Sequence, residues 1–247
     1  MFIELLLVGI FIGSMSGFFG IGGGMILVPI LLAIGFEIKD AIGISIIQMV
    51  FSSVYGSYLN HKKGSLIVGE GIFVGIGGFA GGYLGGYVTH YVSDTVLQVL
   101  FLGILLFALF RLFFSKMHID DSHSKTLNKG LLFFIGLLIG IFSITLGIGG
   151  SIILTPILVG LLHYPLKKAI SAGLFFVVFS SIAGMISRLM IGTIDFQNGL
   201  IVAVGSLIGV FGGIWLKDHV HDTHHKSALM LLYLISLAIL VRKMFFV

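Results

Sequence analysis

Long apolar runs separated by short polar clusters predict a succession of membrane-length helices. A first apolar piece covers about residues 2–16 and stops at a glycine cluster, and a second piece follows at about 24–35. Glu37, Lys39 and Asp40 then mark a loop. A helix is predicted over about 41–59, closed by His61-Lys62-Lys63-Gly64, and further segments over about 67–91 and 95–114. At 1.5 Å per residue the first piece reaches about 22 Å, short of a hydrocarbon core of about 30 Å. Both pieces together are too long for one ordinary crossing, so a broken or re-entrant hairpin is expected. Residues 115–129 form the longest polar stretch, and the hairpin pattern returns after it at about 130–162. The runs are mostly unalternating, which predicts helices and argues against a transmembrane barrel.

The second half echoes the first. Gly20-Ile21-Gly22-Gly23-Gly24-Met25-Ile26-Leu27-Val28-Pro29 recurs as Gly147-Ile148-Gly149-Gly150-Ser151-Ile152-Ile153-Leu154-Thr155-Pro156, an offset of 127 residues. After a one-residue slip, Ala41 pairs with Ala169, Ser52-Ser53 with Ser180-Ser181, and Gly64-Ser65-Leu66 with Gly192-Thr193-Ile194. Gly77, Gly81 and Gly85 likewise match Gly205, Gly209 and Gly213, a spacing by four that lets a neighbouring helix backbone approach closely. The expected architecture is an all-α polytopic membrane protein of two homologous repeats, residues 1–114 and 130–247, joined by a cytoplasmic linker at 115–129. If the broken segments re-enter, each half makes three full crossings and the halves are inverted. The loop cations then divide ten to four, with Lys62, Lys63, Arg111, Lys116, Lys125, Lys129, Lys167, Lys168, Lys217 and Lys226 on one side. Lys39, Arg188, Arg242 and Lys243 lie on the other, whereas spanning segments would give nine to five. The positive-inside rule thus favours inverted halves with both termini outside.

Composition adds the membrane class directly. Hydrophobic residues make up 57% of the chain and charged residues 10%, against about 25% charged in a soluble domain. With a mean hydropathy of +1.17, this describes a multi-pass protein of the cell membrane. The net charge of +4 fits loop bias rather than nucleic-acid binding. There is no cysteine, so disulfides, thiol catalysis and thiolate metal sites are excluded. The first apolar run has Glu4 where a signal peptide carries its basic region, and it is expected to be mature structure.

The glycine breaks hold the strongest candidate chemistry. A glycine break inside a hydrophobic run leaves backbone N–H groups free, and at membrane depth these must face protein or a wet cavity. Two broken segments at matching positions point to a transporter's binding site, the competing explanation being a glycine seam for helix packing. A helix beginning at Gly24 or Ser151 would aim N–H groups and its positive dipole end at the break, an anion site needing no buried cation. The expected substrate-binding residues are Gly22, Gly23, Gly24, Gly149, Gly150 and Ser151, with Ser16 and Thr145 flanking the breaks. Gln48 lies deep in the second segment opposite Phe176, and serves either substrate contact or a helix-to-helix bond. Ser52, Ser53, Ser180 and Ser181 read as packing residues, Arg188 as a side chain snorkelling to the interface, and Asp195 and Glu70 as segment ends facing water. His219, His221, His224 and His225 sit with Lys217, Asp218, Asp222 and Lys226 in what is expected to be a solvated polar loop, not a metal site. The G-x-G-x-x-G frames end in Met25 and Ile152, and Gly13-Ser14-Met15-Ser16-Gly17 lacks the central serine of a hydrolase elbow. No catalytic role and no cofactor are expected.

The segments Gly17-Phe18-Phe19-Gly20-Ile21-Gly22-Gly23-Gly24 with Pro29, and Thr145-Leu146-Gly147-Ile148-Gly149-Gly150 with Pro156, resemble the TauE/SafE sulfite-exporter family of membrane permeases. Pro165-Leu166-Lys167-Lys168-Ala169 and Gly192-Thr193-Ile194-Asp195 extend the resemblance over essentially the whole chain. It implies a secondary transporter of a small sulfur-containing oxyanion, sulfite or an organosulfonate such as sulfoacetate, coupled to a proton or sodium gradient. Related thiosulfate importers pass their substrate along cysteines, which this chain lacks. Uptake instead of export, a carboxylate substrate, or an assembly factor without substrate are the rival readings.

Overall fold

A computed structural model describes residues 2–66, 71–114, 128–160, 166–219 and 222–246. These form α1 (Phe2–Phe19), α2 (Gly24–Ile34), α3 (Ile38–Lys62), α4 (Gly71–Tyr91) and α5 (Asp94–Phe114) in the first half. The second half holds α6 (Lys129–Leu146), α7 (Ser151–Gly160), α8 (Leu166–Ile191), α9 (Phe196–His219) and α10 (Asp222–Phe246). Eight of them, all but α2 and α7, are long and apolar enough to cross a membrane. The chain is an all-α polytopic membrane protein. The linker at 115–129 lies, except for its last two residues, outside the described residues, as do Glu70 and Pro165.

Two element boundaries differ from those the hydropathy pattern predicts. α1 continues to Phe19, because Gly17 packs on the backbone of α9 at Val210 and Phe18 and Phe19 are buried. α3 starts at Ile38, so Lys39 and Asp40 occupy its first turn and not a loop. An aspartate there suits the positive end of the helix dipole, which local polarity alone does not reveal.

Glycine stripes join the two halves crosswise. A Cβ on Gly77, Gly81 or Gly85 would run into the carbonyls of Phe133, Leu137 or Ile141 on α6. On α9, Gly205, Gly209 and Gly213 meet the carbonyls of Leu6, Ile10 and Ser14 on α1 in the same way. Residue numbers rise together along both contacts, so α4 runs parallel to α6 and α9 parallel to α1. The second α4 stripe, Gly78, Gly82 and Gly86, lies on Phe176, Ser180 and Ser187 of α8. Along α3 and α8 the numbers run oppositely, Gly43 meeting Arg188 and Gly56 meeting Leu174, so these two are antiparallel.

The starts of α1 and α3 share one end of the bundle. Leu6 of α1 lies beside Gly205 near the start of α9, which follows the α8–α9 turn. Arg188 of α8 donates through Nη2 to the carbonyls of Thr193 in that turn (2.6 Å) and of Lys39 at the start of α3 (2.9 Å). Lys39 in turn donates to the His90 carbonyl at the end of α4 (3.1 Å) and pairs with Asp94 at the start of α5 (3.6 Å). Since α2 ends at Ile34, four residues before α3 begins, it leads back to the end from which α1 sets out.

Candidate functional site

Each glycine break is a left-handed stretch that ends one helix and starts another. Gly20, Gly22 and Gly23 have φ of 68°, 77° and 87°, and Gly147, Gly149 and Gly150 have φ of 67°, 83° and 68°. A side chain at such angles is strained, which is the physical reason for glycine at both places. Gly23 caps α2 without any side-chain hydrogen bond, and its carbonyl accepts from Ile26 (3.2 Å) and Leu27 (3.0 Å). The amides of Gly24 and Met25, first in the helix, therefore have no acceptor within it. In the second break, the Gly150 carbonyl accepts from Ile153 (3.1 Å) and Leu154 (3.0 Å), while Ser151 N–H donates to the Gly149 carbonyl (2.9 Å).

The two breaks touch one another. A Cβ on Gly149 would stand 2.8 Å from the Ile21 carbonyl oxygen and 3.4 Å from Gly22 Cα. A Cβ on Gly24 would overlap the Gly147 carbonyl, the same oxygen that accepts Ser45 Oγ of α3 at 2.8 Å. Met49 places its sulfur against both Gly22 and Gly149. Ser45 and Met49 were not among the residues the sequence singles out. Their only signal is position, one helical turn apart and flanking Gln48 on the α3 turn that the breaks pack against.

Of the predicted residues, Gly22, Gly23, Gly24, Gly149, Gly150, Ser151 and Gln48 meet in this one region, and Ser16 lies one turn before the first break with its carbonyl accepting Gly20 N–H (2.8 Å); all are buried. A Cβ on Gly23 would lie 2.9 Å from Gln48 Oε1 and 3.2 Å from Nε2, so the amide sits directly on the first break. Phe176, its counterpart in the other half, lies on Gly150 in the same manner, with Ser143 beside it. Ser16 Oγ, Ser151 Oγ and both polar atoms of Gln48 are buried without a hydrogen-bond partner. Four such atoms around two touching breaks is a concentration of unsatisfied polarity, each costing about 1–3 kcal/mol when left dry. The region is closed to solvent, with Ser16, Gln48 and Ser151 at 0% exposure.

Thr145 is placed elsewhere. Its hydroxyl donates to the Gly85 carbonyl (3.2 Å) and its carbonyl accepts Thr89 Oγ1 (3.1 Å), fastening α6 to α4. Ser52, Ser53, Ser180 and Ser181 all point to carbonyls of their own helices, as packing residues do. Asp195 caps α9, accepting from Asn198 N–H (3.1 Å) and Nδ2 (2.7 Å).

Two cations differ from expectation. Arg188 does not snorkel to the interface; it is 1% exposed, held inward by the two backbone carbonyls of Thr193 and Lys39. Lys217 belongs to the last turn of α9 instead of a solvated loop, and is 2% exposed. Its ammonium donates to Asn60 Oδ1 (2.8 Å) and Ser171 Oγ (3.3 Å), partners that lie far away in sequence and leave no local signal. His219 extends α9 and stacks on Trp215, while His221 and the side chains of His224 and His225 lie outside the described residues. Among the described residues no group of three His, Asp or Glu is placed to hold a metal ion.

The family model described as sulfite exporter TauE/SafE matches residues 5–240. A probable membrane transporter protein of Methanocaldococcus jannaschii is 29% identical over 241 residues, covering 91% of this chain and 90% of that protein. The probable membrane transporter protein YdhB of Bacillus subtilis is 25% identical over 235 residues, 92% of this chain and 95% of its own. A similar protein of Haemophilus influenzae is 26% identical over 195 residues, 76% of this chain and 73% of its own. No solved structure matches.

Proposed function

The chain belongs to the TauE/SafE family, a family of membrane transporters rather than enzymes, and from that premise we propose that it carries a small sulfur-containing oxyanion through the paired glycine breaks. The observation that carries this reading is the meeting of two helix-initiating breaks around the unpartnered Ser16, Gln48 and Ser151. Helix N-termini and neutral donors suit an anion that must be bound and then released. A partly buried charge at a helix N-terminus gains up to about 2 kcal/mol, and hydrogen bonds to it contribute about 1.5–3 kcal/mol each. After the costs of ordering and desolvation this supports binding in roughly the micromolar-to-millimolar range.

Alternating access follows from treating the halves 1–114 and 130–247 as inverted repeats with re-entrant first segments. The helix directions support this, since α1 and α3 run with α9 while their counterparts α6 and α8 run with α4, the helix matching α9. The closed site corresponds to an occluded state between two openings, driven by a proton or sodium gradient. Purified protein warmed with sulfite, sulfoacetate, thiosulfate, sulfate or acetate tests the substrate class. A bound anion at a hundred times its Kd stabilises by about 2.7 kcal/mol, a shift of several degrees in Tm. Sulfite or sulfoacetate is expected to give the largest shift. Acetate in first place would favour a carboxylate carrier, and no shift with any of the five would remove the anion site.

A further inference from the structure

At the α3-start end of the bundle Arg188 is buried against Gly43, which lies five residues before Gln48 on α3. A guanidinium has five N–H donors, and here only Nη2 is engaged, by the carbonyls of Lys39 and Thr193. Nε is buried with no acceptor, and so is the hydroxyl of Thr193, the residue whose carbonyl the guanidinium holds. The charge of Asp40, on the first turn of α3, reaches Arg188, but no salt bridge joins the two among the described residues, so the remaining donors of the fork stay unused. A pin between the α8–α9 turn and α3 requires only Nη2. The unused donors on the same fork and the idle hydroxyl beside it are a half-built oxyanion cradle.

The opposite end supports this. The residue 128 positions before Arg188 is Asn60, which is buried and accepts the ammonium of buried Lys217. Each end of the bundle thus holds a buried cation, Arg188 itself at one end and Lys217 bound to the matching Asn60 at the other, and among the described residues the breaks between them carry none. An anion travelling either way would meet a positive charge, then a neutral site, then a positive charge.

We propose that Arg188 and Thr193 form a second, outer binding site for a small oxyanion, which receives the anion at the α3-start end and passes it to the breaks. The planar fork suits a carboxylate, sulfite or sulfonate group, whose oxygens take Nε–H and the Thr193 O–H when this end opens. This site rests on the anion-carrier reading above, and the experiment separates the two. Initial rates for [35S]sulfite and [14C]acetate are measured in right-side-out and inside-out membrane vesicles. Arg188→Gln is expected to raise KM tenfold or more from the α3-start face and less than twofold from the other, with Arg188→Lys in between. Thr193→Val removes only the unpartnered hydroxyl, so folding is maintained or improved. It is expected to raise KM about threefold or more from the same face, which a purely structural role would not do. Gln48→Leu serves as the comparison, weakening transport from both faces alike. Unchanged or equally changed KM on the two faces for both Thr193→Val and Arg188→Gln would overturn the outer site alone. Absence of transport of either anion by the unaltered protein would overturn it together with the site at the breaks.

Discussion

Gln48 shows most sharply what the site demands of single residues. Two polar atoms of one amide stay dry and unpartnered beside Gly23, where leucine would be the stable choice. Gln48→Leu is therefore expected to leave the empty protein as stable or to stabilise it by about 1 kcal/mol, while abolishing the anion-dependent Tm shift. Ser151→Ala removes one donor among several, so a loss of about tenfold in affinity is expected, read by the same titration. An equal anion response in Gln48→Leu and the unaltered protein would mean that the amide faces only helices. Gly23→Val is a poorer probe than its position suggests. Its Cβ would lie 2.6 Å from Ile12 Cγ2 at a φ of 87°, so stability and binding would fall together. The breaks, Ser16, Ser151 and Gln48 were legible because duplication and polarity in an apolar run are properties of the sequence itself. Ser45, the inward-held Arg188 and the buried Lys217 were not, because their meaning lies in partners a hundred or more residues away, or in a backbone carbonyl that any residue supplies.

At the level of elements, the spacing of Gly77, Gly81 and Gly85 and of Gly205, Gly209 and Gly213 announces a close helix contact but not its partner. A four-residue period defines a face on one helix and carries no information about the helix opposite. The structure supplies the partner and its use: each stripe seats the helix that leads into a break, α4 seating α6 and α9 seating α1. The stripes therefore position the site without touching an anion. Gly81→Leu or Gly209→Leu would push a side chain into the carbonyls of Leu137 or Ile10, and overpacking of this kind costs about 1–3 kcal/mol or more. The yield of monodisperse protein on size exclusion is expected to fall severalfold for either variant. Full yield with lost anion binding would reassign these faces to the substrate. At one end of the bundle, Lys39, Asp94 and Arg188 tie the start of α3 to the end of α4, the start of α5 and the α8–α9 turn.

For the whole molecule, loop charge and helix direction point the same way. The ends of α3 and α9 and the start of α8 share one face, tied by Lys217, Asn60, Ser65 and Ser171. That face carries Lys62, Lys63, Lys167, Lys168 and Lys217, whereas Lys39 and Arg188 mark the opposite one. Basic residues are retained on the cytoplasmic side, so the lysine-rich face is expected inside and both termini outside. Because the chain has no cysteine, single cysteines report sidedness without a background. Lys62→Cys and Lys167→Cys should react with a membrane-impermeant maleimide only after the cells are opened, and Glu37→Cys in intact cells. Lys125→Cys, in the linker, should behave as Lys62→Cys does. The arrangement with inverted halves requires Lys62 and Lys167 to lie on the same side, since they are at the end of α3 and the start of α8. Labelling of Lys167→Cys from outside while Lys62→Cys stays protected would place the halves in the same orientation and end the inverted-repeat reading. Labelling of both from outside would keep the inversion and reverse the molecule in the membrane, turning the Arg188 end toward the cytoplasm.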